Sequence, residues 1–209
     1  MPVTQGEPVD TPAPPLHILI LAAGSSTRMR GADKLTETVK GQPLLRQLAG
    51  RAVATGLPVT VALPPDRPAR HAALDGLTLT RLSVAGASQG MATTLRAGLA
   101  SLPPQAAVVL LLADLPELTT ADLSLMAQSY ASTPGQILRA TNVTGQPGHP
   151  VIFPPWARAD LMQLSGDDGA RQVLQAHASR LRLIALPDHH ATTDLDTPED
   201  WASWRSGRE

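Results

Sequence analysis

From Leu16 onward, short apolar runs alternate with longer segments whose apolar residues recur every three to four positions. That alternation predicts a mostly parallel β-sheet covered by helices. The sharpest strands are Leu16–Leu21, Val59–Leu63 and residues 108–112. The last reads VVLLL without a polar break, as expected of a central parallel strand buried on both faces. Between them, Leu44, Leu45, Leu48 and Val53 place an apolar stripe on a helix over 44–55, and Met91, Leu95 and Leu99 do the same over 91–102. Further helices are predicted over 120–130, 157–164, 170–177 and 198–205. The last has Thr197 as N-cap, Pro198 at its first position and acids in its first turn. Two weaker strands, 136–140 and 151–153, flank a Gly/Pro-rich loop. The expected fold class is α/β, a three-layer α/β/α sandwich with a Rossmann-like sheet.

Composition narrows the possibilities. Residues 1–15 carry five prolines and no apolar periodicity, which predicts a disordered tail ahead of one domain over 16–209. No Lys or Arg precedes the apolar stretch at 16–23, so the segment does not read as a signal peptide. The longest pure apolar run, 106–113, is far short of the roughly 20 residues needed to cross a bilayer. With 17 Lys+Arg against 18 Asp+Glu, the chain lacks the broad basic excess of a nucleic-acid or membrane-surface binder. Any anion site must be local. The absence of cysteine removes disulfides, thiolate metal clusters and cysteine nucleophiles, and fits a cytoplasmic protein.

The informative segment follows the first strand: Leu21-Ala22-Ala23-Gly24-Ser25-Ser26-Thr27-Arg28-Met29, then Gly31-Ala32-Asp33-Lys34. Open α/β sheets bind ligands at the carboxyl ends of their strands. Gly24 is free to take positive φ, and small side chains let backbone N–H groups approach phosphate oxygens. Arg28 and Lys34 add fixed positive charge just downstream. A dinucleotide fingerprint would need Gly at 22, 24 and 27, and a P-loop would end in Gly-Lys-Ser/Thr; the chain has neither. The competing reading is an ordinary strand-to-helix turn.

This segment resembles the signature of the MobA-like nucleotidyltransferases, L-A-A-G-x-S-x-R-M-G followed by a Lys. Arg30-Gly31 stands where that family often has Gly directly after Met, a displacement of one residue. Further matches follow in the family's order: Ser88-Gln89-Gly90-Met91-Ala92-Thr93-Thr94-Leu95, Leu112-Ala113-Asp114-Leu115-Pro116, Gly148-His149-Pro150-Val151, Gly166-Asp167-Asp168-Gly169-Ala170-Arg171 and Asp194-Leu195-Asp196-Thr197-Pro198-Glu199-Asp200. The second and fourth of these six segments are most similar to those of molybdenum cofactor cytidylyltransferases.

The resemblance implies the nucleotide-diphospho-sugar transferase fold and a Mg²⁺-dependent transfer of CMP from CTP to the terminal phosphate of molybdopterin, with release of pyrophosphate. It implies Arg28, Lys34 and Asp114 as catalytic residues, and Asp114 with Asp196 as ligands of Mg²⁺. The nucleotide would be bound by Leu21, Ala22, Ala23, Gly24, Ser25, Ser26, Arg28, Lys34, Ser88, Gly90, Met91 and Thr94. Gly148, His149, Pro150 and Arg171 would face the acceptor. Molybdenum hydroxylases or their insertion chaperone are the implied partners, and the expected form is a monomer. Same-fold alternatives are GTP as donor, or another phosphorylated acceptor such as a sugar phosphate or phospholactate. A non-catalytic nucleotide-binding accessory domain is an alternative of another class.

Elementary chemistry supports this division of roles. Nucleotidyl transfer gathers several negative charges, so the protein's work is positioning and charge stabilisation by cations, amides and a divalent metal. The attacking phosphate is already ionised at neutral pH, so no general base is needed. Each residue also has a plainer reading. Asp114 is a turn residue before Leu115-Pro116, Asp196 a carboxylate near a helix start, and Ser88 the N-cap of a core helix. Asp194 could replace Asp196, since alternate residues of an extended segment share a face. Residues 145–150 are too rich in turn formers for a helix and are expected to loop over the acceptor. His149 either touches the acceptor or braces that loop. Asp167 or Asp168 would cap the helix predicted over 170–177, and Arg171 either faces the acceptor or joins an internal ion pair. His189 and His190, adjacent and without spaced partners, do not read as a zinc pair. Trp201 and Trp204 read as a core-covering stripe.

Overall fold

The computed structural model describes residues 14–166 and 169–207. Most of the expected tail, and the proposed caps Asp167 and Asp168, lie outside the described residues. Pro15 already joins the sheet, its carbonyl accepting from the Ala107 N–H at 3.0 Å.

Among the described residues nine strands occur in chain order: β1 (Leu16–Leu21), β2 (Thr38–Val39), β3 (Gln42–Pro43), β4 (Val59–Leu63), β5 (Thr80–Ser83), β6 (Ala107–Leu112), β7 (Ile137–Thr141), β8 (Pro147–Phe153) and β9 (Leu181–Ala185). The helices are α1 (Leu44–Val53), α2 (Pro68–Ala73), α3 (Met91–Ser101), α4 (Thr120–Ala131), α5 (Arg158–Gln163), α6 (Arg171–Ala176) and α7 (Pro198–Ser206). β2 and β3 form a separate two-residue hairpin. The other seven strands form one sheet in the order β5-β4-β1-β6-β8-β7-β9. β1, β4, β5 and β6 pair in parallel, as do β7 and β9, while β8 runs antiparallel to both β6 and β7.

Side-chain alternation divides the core between the two faces. Ile18 and Ile20 of β1 with Val109 and Leu111 of β6 face α1 and α4, where Leu45, Leu48, Leu123 and Met126 cover them. Leu19, Leu21, Val108 and Leu110 face Leu95 and Leu99 of α3, Leu161 of α5 and Val173 of α6. Each such leucine or isoleucine, fully buried, contributes about 1.5–3 kcal/mol. Thr197 caps α7 as expected, its hydroxyl accepting from the Asp200 N–H. Trp201, 1% exposed, closes a small cluster with Met29, Val39, Leu44 and Leu195, against which Trp204 packs. No helix of the described residues is long and apolar enough to cross a membrane.

The expected loop over 145–150 is mostly strand. The chain turns at Asn142–Gln146 and β8 begins at Pro147. Its turn formers survive there because the β7–β8 ladder shifts register between Arg139 and Thr141. Such a bulge accommodates a proline without an N–H. The bulged backbone instead meets the segment after β9, the His149 N–H donating to the Ala191 carbonyl at 2.9 Å. A Cβ on Gly148 would stand 1.8 Å from that carbonyl oxygen. Gly148→Ala is therefore expected to destabilise the protein by about 3 kcal/mol, read as a lower urea midpoint at unchanged slope. A midpoint equal to wild type would show that this contact relaxes freely.

Candidate active site

β4, β1 and β6 are adjacent and parallel, so their carboxyl ends open on one edge. The loops leaving them, with the one leaving β5, surround a cavity of about 550 Å³. That volume suits a nucleotide-sized ligand, for which roughly 300–1,000 Å³ is usual. Its wall includes Leu21, Ala23, Gly24, Ser25, Arg28 and Lys34 from the first loop, Ser88, Gly90, Met91 and Thr94 around the start of α3, and Asp114, Asp194 and Asp196. Ala22 and Ser26, from the same predicted nucleotide-binding set, do not line it. The structure turns both inward, for a reason that lies in α2.

Arg70 is fully buried and holds the inside of the first loop. Its Nε and one terminal nitrogen donate to both Asp33 oxygens at 2.7 and 2.8 Å, the other terminal nitrogen donates to the Ala22 carbonyl at 2.7 Å, and a further bond reaches the Ser26 hydroxyl at 3.1 Å. Burial alone would push the Asp33 carboxyl up, but the Arg70 hydrogen bonds and charge outweigh it and hold the group below its ordinary value. Ser26, which this clamp holds by its hydroxyl, and Arg30 both stand in the left-handed region, at φ 54° each. In this segment positive φ falls on Ser26, Arg30 and Gly31, not on Gly24. The open space beside Gly24, where a Cβ would meet nothing within 4 Å, leaves its backbone accessible to a ligand.

The reactive end of the cavity is a charge-paired cluster. Lys34 Nζ lies 2.5 Å from Asp114 Oδ2 and 2.7 Å from Asp196 Oδ1, while the Arg28 guanidinium reaches Asp196 Oδ2 at 2.7 Å. Burial would lower the Lys34 pKa, but the two carboxylates overcome it and raise the ammonium's pKa above its ordinary value. Lys34 is therefore charged throughout the neutral range. Asp194 faces the same space; burial, then the negative charges of Asp114 and Asp196, push its carboxyl up. Two cations between two carboxylates leave little net charge to attract a bare triphosphate, whereas a nucleotide that arrives with a cation would be balanced.

The donor set can be tested against a divalent ion. Among the described residues no group of three or more acids or histidines could hold a metal by itself. Mg²⁺, however, usually takes one or two carboxylates and completes its shell with phosphates and waters. Asp114 Oδ1 is buried without a hydrogen-bond partner, an oxygen disposed to accept a cation. Asp114 and Asp196 fit such an ion when a phosphate chain accompanies it.

The start of α3 differs from the simplest expectation for Ser88. Ser88 sits in a 3-10 turn, and the N-cap is Gly90 at φ 114°, which has no capping side chain. Only glycine takes that backbone angle without strain. Of the residues expected to face the acceptor, Gly148, His149, Pro150 and Arg171 all lie outside the cavity wall. His149 Nδ1 is buried without a partner. Burial lowers the His149 pKa, with opposing influences from the Leu110 carbonyl and Asp114 and a further lowering by Arg139, so the ring is neutral at pH 7. Arg139 donates through Nε to the Gly148 carbonyl at 3.2 Å, and its guanidinium is depressed by burial and by the charge of Arg171. His189 and His190 face different partners, His190 Nδ1 lying 2.8 Å from Asp122. Leu35, Pro64, Asp66, Arg67 and Ala87 also line the cavity, beyond the residues singled out in the sequence. The signal for three of them was positional, because Pro64-Pro65-Asp66-Arg67 leaves the carboxyl end of a parallel strand beside β1.

Residues 18–181 match the MobA-like NTP transferase domain model. The chain is similar to a probable molybdenum cofactor guanylyltransferase of Nostoc sp., 30% identical over 196 residues that cover 90% of this chain and 89% of that one. Among solved structures it resembles Rv0371c of Mycobacterium tuberculosis, with a TM-score of 0.77, 25% identity and coverage of 92% of this chain and 98% of that one. A manganese complex of Rv0371c superposes with a TM-score of 0.73 at 24% identity, covering 90% and 97%.

Proposed function

The chain belongs to the MobA-like NTP transferase family and is a nucleotidyltransferase; from that premise we propose that it transfers CMP from CTP to the terminal phosphate of molybdopterin. The observation that carries the transfer chemistry is Lys34 bridging Asp114 and Asp196 in the wall of a nucleotide-sized cavity. In the proposed reaction, an acceptor phosphate oxygen attacks the α-phosphorus of the nucleotide. One P–O bond forms, the bond between the α-phosphorus and its bridging oxygen breaks, and pyrophosphate leaves with that electron pair. The acceptor needs no deprotonation at neutral pH, so this reading calls for no activated nucleophile among the described residues that line the cavity. Lys34 and Arg28 stabilise charge at the α-phosphate, and backbone N–H groups of residues 23–25 hold the remaining phosphates. Asp114 and Asp196 would hold Mg²⁺, which supplies charge stabilisation at the phosphoryl oxygens when bound. His149, Arg139 and Arg171 form the acceptor-side polar group in this reading, with Gly148 and Pro150 fixing the backbone that carries His149.

The choice of CTP rests on the Ser88–Leu95 and Gly148–Val151 segments, which resemble the cytidylyltransferase branch. A second reading, GTP as donor, is favoured by the Nostoc relative, named a probable guanylyltransferase. The proposed recipients of the product are molybdenum hydroxylases, through an insertion chaperone. Pyrophosphate release with CTP, GTP and ATP in turn, in the presence of Mg²⁺ and molybdopterin cofactor, separates these readings. Release with CTP at least tenfold faster than with GTP is expected. Release with GTP alone would move the assignment to guanylyl transfer, and release only with a sugar phosphate as acceptor would overturn the cofactor reading.

A further inference from the structure

The cations that line the cavity among the described residues are not equivalent. Arg28 and Lys34 are each matched by a carboxylate within 2.7 Å. Arg67 also lines the cavity, yet no ion pair joins it to any described acid; its charge acts on Asp33 only from a distance, and its one hydrogen bond among the described residues runs to the Ser25 carbonyl at 3.3 Å. It lies just ahead of α2, three residues before the buried Arg70 that clamps the first loop. Arg70 thereby fixes the loop that Arg67 faces. A half-exposed guanidinium held at an amide-rich loop, with most of its donors unused, is equipped for bidentate binding of a phosphate.

We propose that Arg67 is a binding residue for the β and γ phosphates of the nucleotide, and so for the pyrophosphate that leaves. The inference rests on the nucleotidyltransferase reading and adds a residue at the end of the phosphate chain away from Asp114. Arg28 and Lys34, already engaged with Asp114 and Asp196, serve the α-phosphate end. Arg67 serves the tail, anchored beside Ser25. It orients the leaving group without touching the base, so its influence is independent of whether cytosine or guanine is read.

The test compares wild type, Arg67→Ala and Arg67→Lys by calorimetric titration with inorganic tripolyphosphate, CTP and CMP in the presence of Mg²⁺, after thermal melts of the ligand-free proteins. Arg67→Ala is expected to weaken tripolyphosphate and CTP at least tenfold and CMP less than twofold, with Arg67→Lys recovering part of the loss. Equal weakening of CTP and CMP would overturn the proposal, because it would place Arg67 at the nucleoside or in the fold. Failure of wild type to bind tripolyphosphate, or its unchanged binding by Arg67→Ala, would overturn it as well. If Arg67→Ala melts early, the same comparison is made with Arg67→Lys, whose expected signature is a tail-specific loss of about threefold. The underlying reading fails differently: no pyrophosphate release with any nucleoside triphosphate and acceptor, while Arg67→Ala still weakens tripolyphosphate.

Discussion

Asp114→Ala is expected to lower the rate constant for nucleotidyl transfer about 10³-fold, roughly 4 kcal/mol of lost transition-state stabilisation, while the protein stays folded. The carboxylate stands at the end of the most apolar strand. One of its oxygens is 2.5 Å from Lys34 and the other is buried without a partner. Truncation removes a proposed metal ligand but leaves Lys34 paired with Asp196 at 2.7 Å, so no buried ammonium is stranded. Single-turnover pyrophosphate release at saturating nucleotide reads the chemical step. Turnover within about threefold of wild type, a change below 1 kcal/mol, would remove Asp114 from the reaction. Parallel measurement of Mn²⁺ or Mg²⁺ affinity separates loss of metal from loss of chemistry.

The second large effect concerns stability. Arg70→Met is expected to destabilise the fold by about 3–5 kcal/mol, since it strands a largely buried carboxylate at Asp33 and leaves the Ala22 carbonyl without its donor. Arg70→Met combined with Asp33→Asn should recover a substantial part of that loss in urea unfolding, because neither charge then remains. The penalty also depends on pH in a defined direction. Asp33 is held below its ordinary carboxylate value in the folded state. Its contribution is therefore fully present above the unfolded carboxylate pKa, about 3.8, and is lost as pH falls through the lower folded value. The difference between wild type and Arg70→Met should accordingly be greatest near neutrality and shrink in acid. A pH-independent difference would assign the loss to packing alone.

Much of the sheet was legible because its central strands are locally distinctive. Leu16–Leu21, Val59–Leu63 and the VVLLL run are mostly buried on both sides, and burial of that kind leaves a near-continuous apolar run in the chain, broken here only by His17 and Thr60. The edge strands were not legible for the same reason. β5 reads TRLS and β9 reads LRLIA with exposed Arg182 and Leu183, so neither carries a clean alternation. β8 was shortened in the sequence reading because Gly148 and Pro150 are turn formers. The register shift that tolerates them exists only once β7 and β8 are paired.

The site divides along the same line. A small-residue loop after the first strand, with two fixed cations just downstream of it, is a local feature, and so is an acid at the end of VVLLL. Arg70 carries no such mark: a basic residue in a short polar segment reads as surface until the fold buries it against Asp33, 37 residues away in the chain. Nor does any local pattern show that Lys34 meets Asp114 and Asp196, which lie 80 and 162 residues further on. By itself, then, the sequence determined the alternation of strands and helices, the phosphate-suited loop and the strand-end carboxylate, because those depend on periodicity and neighbouring residues. The tertiary structure alone decided which charges neutralise one another, that Ala22 and Ser26 turn inward, and that Arg67 lines the cavity with no ion pair among the described residues. Charge pairing is set by distance in space, and a chain's order of residues specifies that distance only after its parallel strands have been brought side by side.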